Sequence, residues 1–380
     1  MKPTPQNALR LGFIGGGVNS AIGYTHFNAS RMDGHFLLQA GCFSRDADLN
    51  AASANAYGVD KSRAYKDWRT MLAHERGNLD AVAILTPIPQ HLDMACVALS
   101  HGFPVICEKP LALSSEECGK IQTTLAEQNG YLAVTLNYSG YPMVRQLRDM
   151  IREGRLGNLQ QILVEMPQES FSRQGATPQE WRQIDYAVPT VSLDLGTHVH
   201  HLIHFLTSGL QPVRVCASHD SFGQFPALID NVHCIAEYQK GVRVQAWWGK
   251  TALGSRNGLR VRVYGTKASA DWYQMDPEFL RWADDDGHHY TIDRASGEAK
   301  LAQEPRYNRF KAGHPSGFIE AFANLYRDIY EEISSFTAEE TPAQTSQFVT
   351  HTAQSAAALA FLEGITRAAR TSKWVEFGAS

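Results

Sequence analysis

The sequence predicts an α/β plus α+β fold: an N-terminal Rossmann domain with a doubly wound parallel sheet, then a domain on an open, mainly antiparallel sheet. Three observations predict it. Apolar, strand-like runs alternate with helix-length segments over the first 137 residues, the pattern of βαβ units. The first run ends on Gly15-Gly16-Gly17. From about residue 140 the runs alternate apolar and polar residues and follow one another closely, as half-buried antiparallel strands do. At 380 residues the chain exceeds one ordinary core. The expected domains are 1–137 and 138–380, with the C-terminal segment packing back on the first.

The elements follow in order. "LRLGFIGGG" reads as a buried strand and a tight turn, and "FLLQAGCFS" as a second strand. "DLNAASANAYG" has helical composition and ends on Gly58, a C-cap. "LDAVAILTP" is a third strand stopping at Pro87, and "HLDMACVALSHG" an amphipathic helix ending on Gly102. "PVICEKP" is a fourth strand. "SSEECGKIQTTLAEQNG" is a helix opened by N-capping serines. "YLAVTLNY" closes the first sheet. Beyond it, "LQQILVEMPQ", "VRVCASHDSF", "VHCIAEYQ", "VRVQAWWGK", "LRVRVYGTKASADWY" and "FLRWAD" read as strands, with a hairpin before "ASADWYQ". Adjacent Trp247 and Trp248 point to opposite faces, which fits a sheet buried on both sides. "DDDGHH" (284–289) is a solvated turn without the spacing of a calcium loop. A long helix follows "GHPSG", and a final helix and strand end the chain.

Composition excludes several functions. Net charge is −4 and no basic cluster supplies a footprint for nucleic acid. No apolar run is long enough to span a bilayer, and the first ten residues carry no export signal. The six cysteines form no C-x-x-C pair and read as free thiols of a reducing cytoplasm.

Chemistry begins at the glycine turn. Gly15, Gly16 and Gly17, with Asn19 and Ser20 of the same turn, are candidates for a dinucleotide pyrophosphate, since glycine lets backbone approach phosphate at a helix N-terminus. The G-x-G-x-x-G spacing fails at Ser20 and resumes at Gly23, so a longer turn is expected. At the end of the second strand stand Ser44 and Arg45, where an acidic residue would bind adenosine ribose. A hydroxyl and a guanidinium suit a 2′-phosphate, giving a lean to NADP within NAD(P). A solvated loop charge is the competing reading of Arg45.

"TPIPQHLDMACVALSHGFPVICEKPLALSSEE" (86–117) resembles the signature of the glucose–fructose oxidoreductase, inositol dehydrogenase and rhizopine-catabolism (Gfo/Idh/MocA) family. The resemblance continues through "NYSGYPMVRQLRDMIREGRLGNL", "LDLGTH", "NGLRVRVYGTKASADW" and "GHPSGFIEAFANLYRDI". It implies an NAD(P)-dependent dehydrogenase acting on a secondary hydroxyl, or the matching ketone, of a sugar, sugar derivative or cyclitol. Lys109 would exchange the hydroxyl proton, a task for a lysine of lowered pKa. Glu108 would face the nicotinamide ribose, and Pro110 would fix the turn, often as a cis peptide. Thr86, Pro87, His91 and Asn137 join the cofactor residues, and Tyr138 lies near the nicotinamide. The family also implies a homodimer or homotetramer through the second sheet. A non-catalytic dinucleotide- or sugar-binding regulator on the same fold is the first rival, and a zinc-dependent hydrolase the second.

"LDLGTHVHHLIH" (193–204) holds four histidines. As one α-helix from Asp194, it places His198 and His201 on the face of Asp194, and His200 and His204 on another. One ion therefore cannot collect all four, and no metal site is expected. On spacing alone, Asp194 caps a helix and His198 is a buried, bonded histidine. The resemblance instead gives the pair to catalysis, with His198 sharing proton transfer and His201 touching substrate. Arg182, after Trp181, either binds a polar substrate group or pairs with a carboxylate. His314 is a further substrate candidate. "YAVPTVSLDLG" departs from the family in having no glycine from 186 to 192, which reshapes that pocket wall and leaves the substrate open.

Overall fold

The computed structural model describes residues 8–338 and 347–378. Strand β1 (Leu9–Gly15) feeds α1 (Ala21–Met32), and β2 (Phe36–Cys42) feeds α2 (Ala47–Tyr57). Then come α3 (Trp68–His74), β3 (Ala81–Leu85), α4 (His91–Ser100), β4 (Val105–Glu108), α5 (Ser115–Glu127) and β5 (Leu132–Thr135). The five strands pair in parallel in the order β2-β1-β3-β4-β5. β3, β4 and β5 are buried throughout, the signature of a sheet covered on both faces. The helix ends are where local chemistry puts them. Asp46, Asp67 and Ser114 accept from the backbone N–H three residues on and open α2, α3 and α5. Gly58, with φ of 71°, closes α2.

The chain then forms α6 (Pro142–Arg152), β6 (Leu159–Pro167) and α7 (Thr197–Leu206). Strands β7 (Pro212–Asp220), β8 (Asn231–Tyr238), β9 (Arg243–Gly249), β10 (Arg260–Gly265), β11 (Ala268–Tyr273), β12 (Asp276–Asp284) and β13 (His289–Asp293) follow. Next are α8 (Phe318–Thr337), α9 (Thr352–Thr371) and β14 (Val375–Glu376). The second sheet runs β13-β12-β11-β10-β6-β9-β8-β7-β14 and is antiparallel except where β6 meets β9. The hairpin before "ASADWYQ" is the β10–β11 pair. The expected burial of this sheet on both sides does not hold within the chain. Trp248 is fully buried, but its neighbour Trp247 is half-buried and stacks on His233. Ile235, Tyr264, Tyr273 and Phe279 on that face are exposed.

Two units result, Met1–Gly140 with Phe318–Ala356, and Tyr141–Gly317 with Ala357–Ser380. In the first, α8 lies against α1, where Tyr326 and Phe322 meet His26 edge-on. Asn324 donates to the Gly140 carbonyl at 2.8 Å. The segment that joins the first unit is Phe318–Ala356, whereas Ala357–Ser380 belongs to the second.

Candidate active site

In a parallel sheet all carboxyl ends lie along one edge. Here that edge carries the glycine turn after β1, Thr86 after β3, Glu108-Lys109 at the end of β4, and Asn137 after β5. Gly15 and Gly16 have φ of 82° and 73°, where side chains other than glycine are strained. A Cβ on Gly16 would lie 2.7 Å from Leu85 Cδ1, and one on Gly23 would lie 2.1 Å from the Gly16 carbonyl oxygen. Gly23 thus holds α1 against the turn, although it stands three residues past the expected position. Ser20 caps α1, its Oγ accepting from Gly23 N at 3.2 Å. Tyr57 donates to the Gly16 carbonyl at 2.9 Å. Asn19 is exposed beside this turn.

At the end of β2, Ser44 accepts from Asp46 N at 3.1 Å. Asp46 in turn caps α2 through Leu49 N at 2.8 Å. That carboxylate is occupied by a helix end, and Arg45 is exposed next to it.

Glu108 is 7% exposed. It accepts from His26 at 2.9 Å and from the hydroxyl of Thr135, and the other nitrogen of His26 meets Tyr326 Oη at 2.7 Å. Burial pushes the Glu108 carboxyl up, but the bond and charge of His26, then Thr135 and Lys109, hold it below the ordinary range. Lys109 is half-buried, and its bond to Pro110 is cis. His91 is fully buried, with one ring nitrogen 2.9 Å from the Pro110 carbonyl and the other 2.8 Å from that of Thr86. It therefore ties two loops of this edge together, and burial lowers its pKa. Tyr138 is buried with its ring against Phe318.

A nicotinamide dinucleotide fits this edge. The glycines let the turn lie against β3 and α1 where a Cβ would clash, which brings its backbone to the strand-end edge. The Nδ2 of Asn137 is buried and meets no acceptor among the described residues, so it is placed to bond to a ligand.

In the second unit, Asp194 lies in a π-helical turn, Ser192–Gly196, that leads into α7. The expected single α-helix from Asp194 is thereby corrected. A π turn closes i→i+5 rather than i→i+4, so a constant wheel misplaces Asp194 relative to His198. Gly196 is needed there, since a Cβ would lie 2.8 Å from Leu362 and 3.1 Å from Trp248. Arg182 pairs with the Asp194 carboxylate, Nε to Oδ2 at 3.1 Å and Nη2 to Oδ1 at 3.3 Å. The pairing with a carboxylate is therefore present.

His198 and His201 are 5% and 7% exposed. Within α7 the separation of faces holds. His201 packs on Phe205, while His200 stacks toward His204 and packs on Phe361. Burial, then nearby positive groups, pushes the pKa of His200 and of His201 down to about 3. Among the described residues no group of three or more His, Cys, Asp or Glu is placed to hold a metal ion. His314 is exposed in a loop, its ring edge-on to Phe310 and its carbonyl accepting from Arg294 at 2.9 Å.

Two groups were missed from sequence. His26 lies within α1 and gives no local sign of contact with Glu108, 82 positions away. Lys250 is 4% exposed, with Nζ 2.6 Å from Asp194 Oδ2. It did leave a sign, because strand alternation puts it on the side of buried Trp248.

A parallel nucleotide-binding sheet, a glycine turn and a strand-end Glu-Lys-Pro define a dinucleotide-dependent oxidoreductase. The chain belongs to the Gfo/Idh/MocA oxidoreductase family. It matches the oxidoreductase family with NAD-binding Rossmann fold over residues 9–136 and the GFO/IDH/MocA C-terminal domain over 144–271. It is 28% identical to an uncharacterized oxidoreductase, YfiI, of Bacillus subtilis, across 97% of each chain. An oxidoreductase from Sinorhizobium meliloti superposes with a TM-score of 0.85 at 31% identity, over 98% of this chain and 100% of that one. An inositol dehydrogenase homolog from Azotobacter vinelandii, complexed with NADH and myo-inositol, superposes at 0.89 with 28% identity over 98% of each.

Proposed function

We propose that this oxidoreductase interconverts a secondary hydroxyl and a ketone on a cyclitol, sugar or sugar derivative. The observation that carries it is the edge of the first sheet, where a glycine cradle, buried Glu108, Lys109 and the open donor of Asn137 follow successive strands. The similarity to an inositol dehydrogenase homolog supports the substrate class. Gly15, Gly16, Gly17, Asn19 and Ser20 would receive the pyrophosphate, and Thr86, Pro87, Glu108 and Asn137 the nicotinamide end. His91 serves the same edge by holding Thr86 and Pro110. Bound NAD(P) supplies the hydride acceptor for oxidation, or the donor for reduction.

Lys109 takes the hydroxyl proton as the carbinol is oxidised and returns it in the reverse direction. Asp194 and His198 orient the reacting hydroxyl and share the proton, and His201, Tyr138 and His314 border the substrate. Arg182 acts by gripping Asp194. Exposed Arg45, with Ser44 and with Asp46 engaged as a cap, favours NADP. The open face of the second sheet, with Ile235, Tyr264 and Phe279, makes a homodimer or homotetramer the expected assembly; sedimentation as a monomer would count against it. A cytoplasmic location is part of the same reading.

The test is a panel of cyclitols, aldoses and sugar acids, each with NAD and with NADP, read by absorbance of the reduced cofactor. Turnover of at least one polyol is expected, with the lower KM for NADP. Dinucleotide binding without turnover across the panel would favour the regulator instead.

A further inference from the structure

Lys250 follows β9 on the buried side of the strand. Its Nζ stands 2.6 Å from Asp194 Oδ2 and 5.0 Å from the ring centre of Phe171. A buried ammonium is strongly unfavourable unless it is paired, so this lysine is held by what it touches. Arg182 reaches the same carboxylate from the solvent side, its guanidinium also 4.2 Å over Trp181. The two cations differ in setting. The Arg182 side chain is 27% exposed and that of Lys250 is 5% exposed. A second bond joins the same two elements, from Trp248 Nε1 to Ser192 Oγ at 3.2 Å. The end of β9 thus grips the π turn at two points, one apolar residue apart, and one of them is the carboxylate itself.

We infer that Lys250 is a positioning residue of the dehydrogenase, fixing the Asp194 carboxylate in the orientation that the reacting hydroxyl meets. The inference rests on the reading of Asp194 under Proposed function. Arg182 holds the same carboxylate from its more exposed side, bonded to Gln179 and stacked on Trp181 in a loop segment, and Lys250 holds it from the buried side. If Lys250 served stability alone, its loss would change the melting temperature and leave the chemical step intact.

The test compares K250M, K250R, D194N and D194N/K250M as full-length enzyme, using the panel polyol turned over fastest. In K250M, kcat is expected to fall on the order of 10-fold or more, with the NADH dissociation constant within about 2-fold of the parent. K250R is expected to recover part of that loss. The acid limb of kcat/KM should move up in K250M, since the Asp194 carboxylate keeps Arg182 and loses the other of the two cations bonded to it. Adding K250M to D194N should cost no further kcat, because Lys250 acts through Asp194. A parental kcat and an unmoved acid limb in K250M would overturn the inference, as would a further loss in the double variant. K250M leaves a buried charge with one partner fewer; should it not fold, the comparison of D194N with D194N/K250M decides alone. Parental turnover in D194N would instead overturn the reading of Asp194 itself.

Discussion

At the scale of single residues, Lys109 carries the sharpest expectation. Lys109→Ala should retain NADH binding, because the glycine turn, Glu108 and Asn137 remain in place. Turnover should fall on the order of 10²-fold or more, the scale of losing a general acid–base group. Stopped-flow rates and NADH fluorescence titration separate the two effects, and undiminished turnover would remove Lys109 from the mechanism. The place of Lys109 after β4 was legible because the apolar pattern gives the strand–helix–strand unit by itself, while the role proposed for it came from the resemblance. Lys250 and Arg182 were less legible. Each becomes meaningful only through Asp194, and Lys250 is 56 positions from it. Side-chain pairing over such a distance depends on the packing of separate elements, which periodicity within one element does not encode. His26 is the same case. It faces Glu108 because α1 and β4 meet in three dimensions, and nothing in "YTHFNAS" records that.

At the scale of elements, the turn between β1 and α1 was read as longer than the usual fingerprint, and the reason is steric. Gly23 touches the Gly16 carbonyl so closely that a methyl group would sit 2.1 Å from its oxygen. Gly23→Ala must push α1 away from the turn, and backbone on both sides resists. The expected cost is about 1–3 kcal/mol, the range for overpacking a tight contact. The dinucleotide should also bind on the order of 10-fold more weakly, since the helix N-terminus moves with the chain. Calorimetry and NADH titration of the purified variant check both, and an unchanged dissociation constant would show that the turn does not set the cofactor site. The histidine helix shows the opposite kind of error. Its two faces were legible from Thr197 onward, where the repeat is regular. The π turn before it was not, because one inserted residue changes the phase without changing composition.

At the scale of the whole molecule, buried histidines make the fold sensitive to acid. In the second unit, His200 and His201 are buried in neutral form, with pKa about 3 against an ordinary 6.5. Unfolded chain binds protons below pH 6.5 that the folded unit refuses. Their contribution is therefore intact above pH 6.5 and is lost as pH falls toward 3. The slope is about 1 kcal/mol per histidine for each pH unit in that window. In the first unit, His351 lies 3.4 Å from Glu332, and that partner raises its pKa despite burial. Its contribution is present below pH 6.5 and is lost as pH rises through the raised value, so it works against the first trend, which burial of His91 in the same unit and of His204 and His219 in the second adds to. Net acid lability of the chain follows. The urea midpoint of tryptophan fluorescence should fall between pH 7.5 and pH 5.5, and His200→Leu should flatten that fall in part, since one of several such slopes is removed. Because His200 rests on Phe361 and on no group assigned to substrate, His200→Leu should keep polyol turnover at pH 7.5. A midpoint independent of pH over this range would mean that α7 admits a proton without unfolding, and the two faces of the histidine helix would then differ in location but not in chemistry.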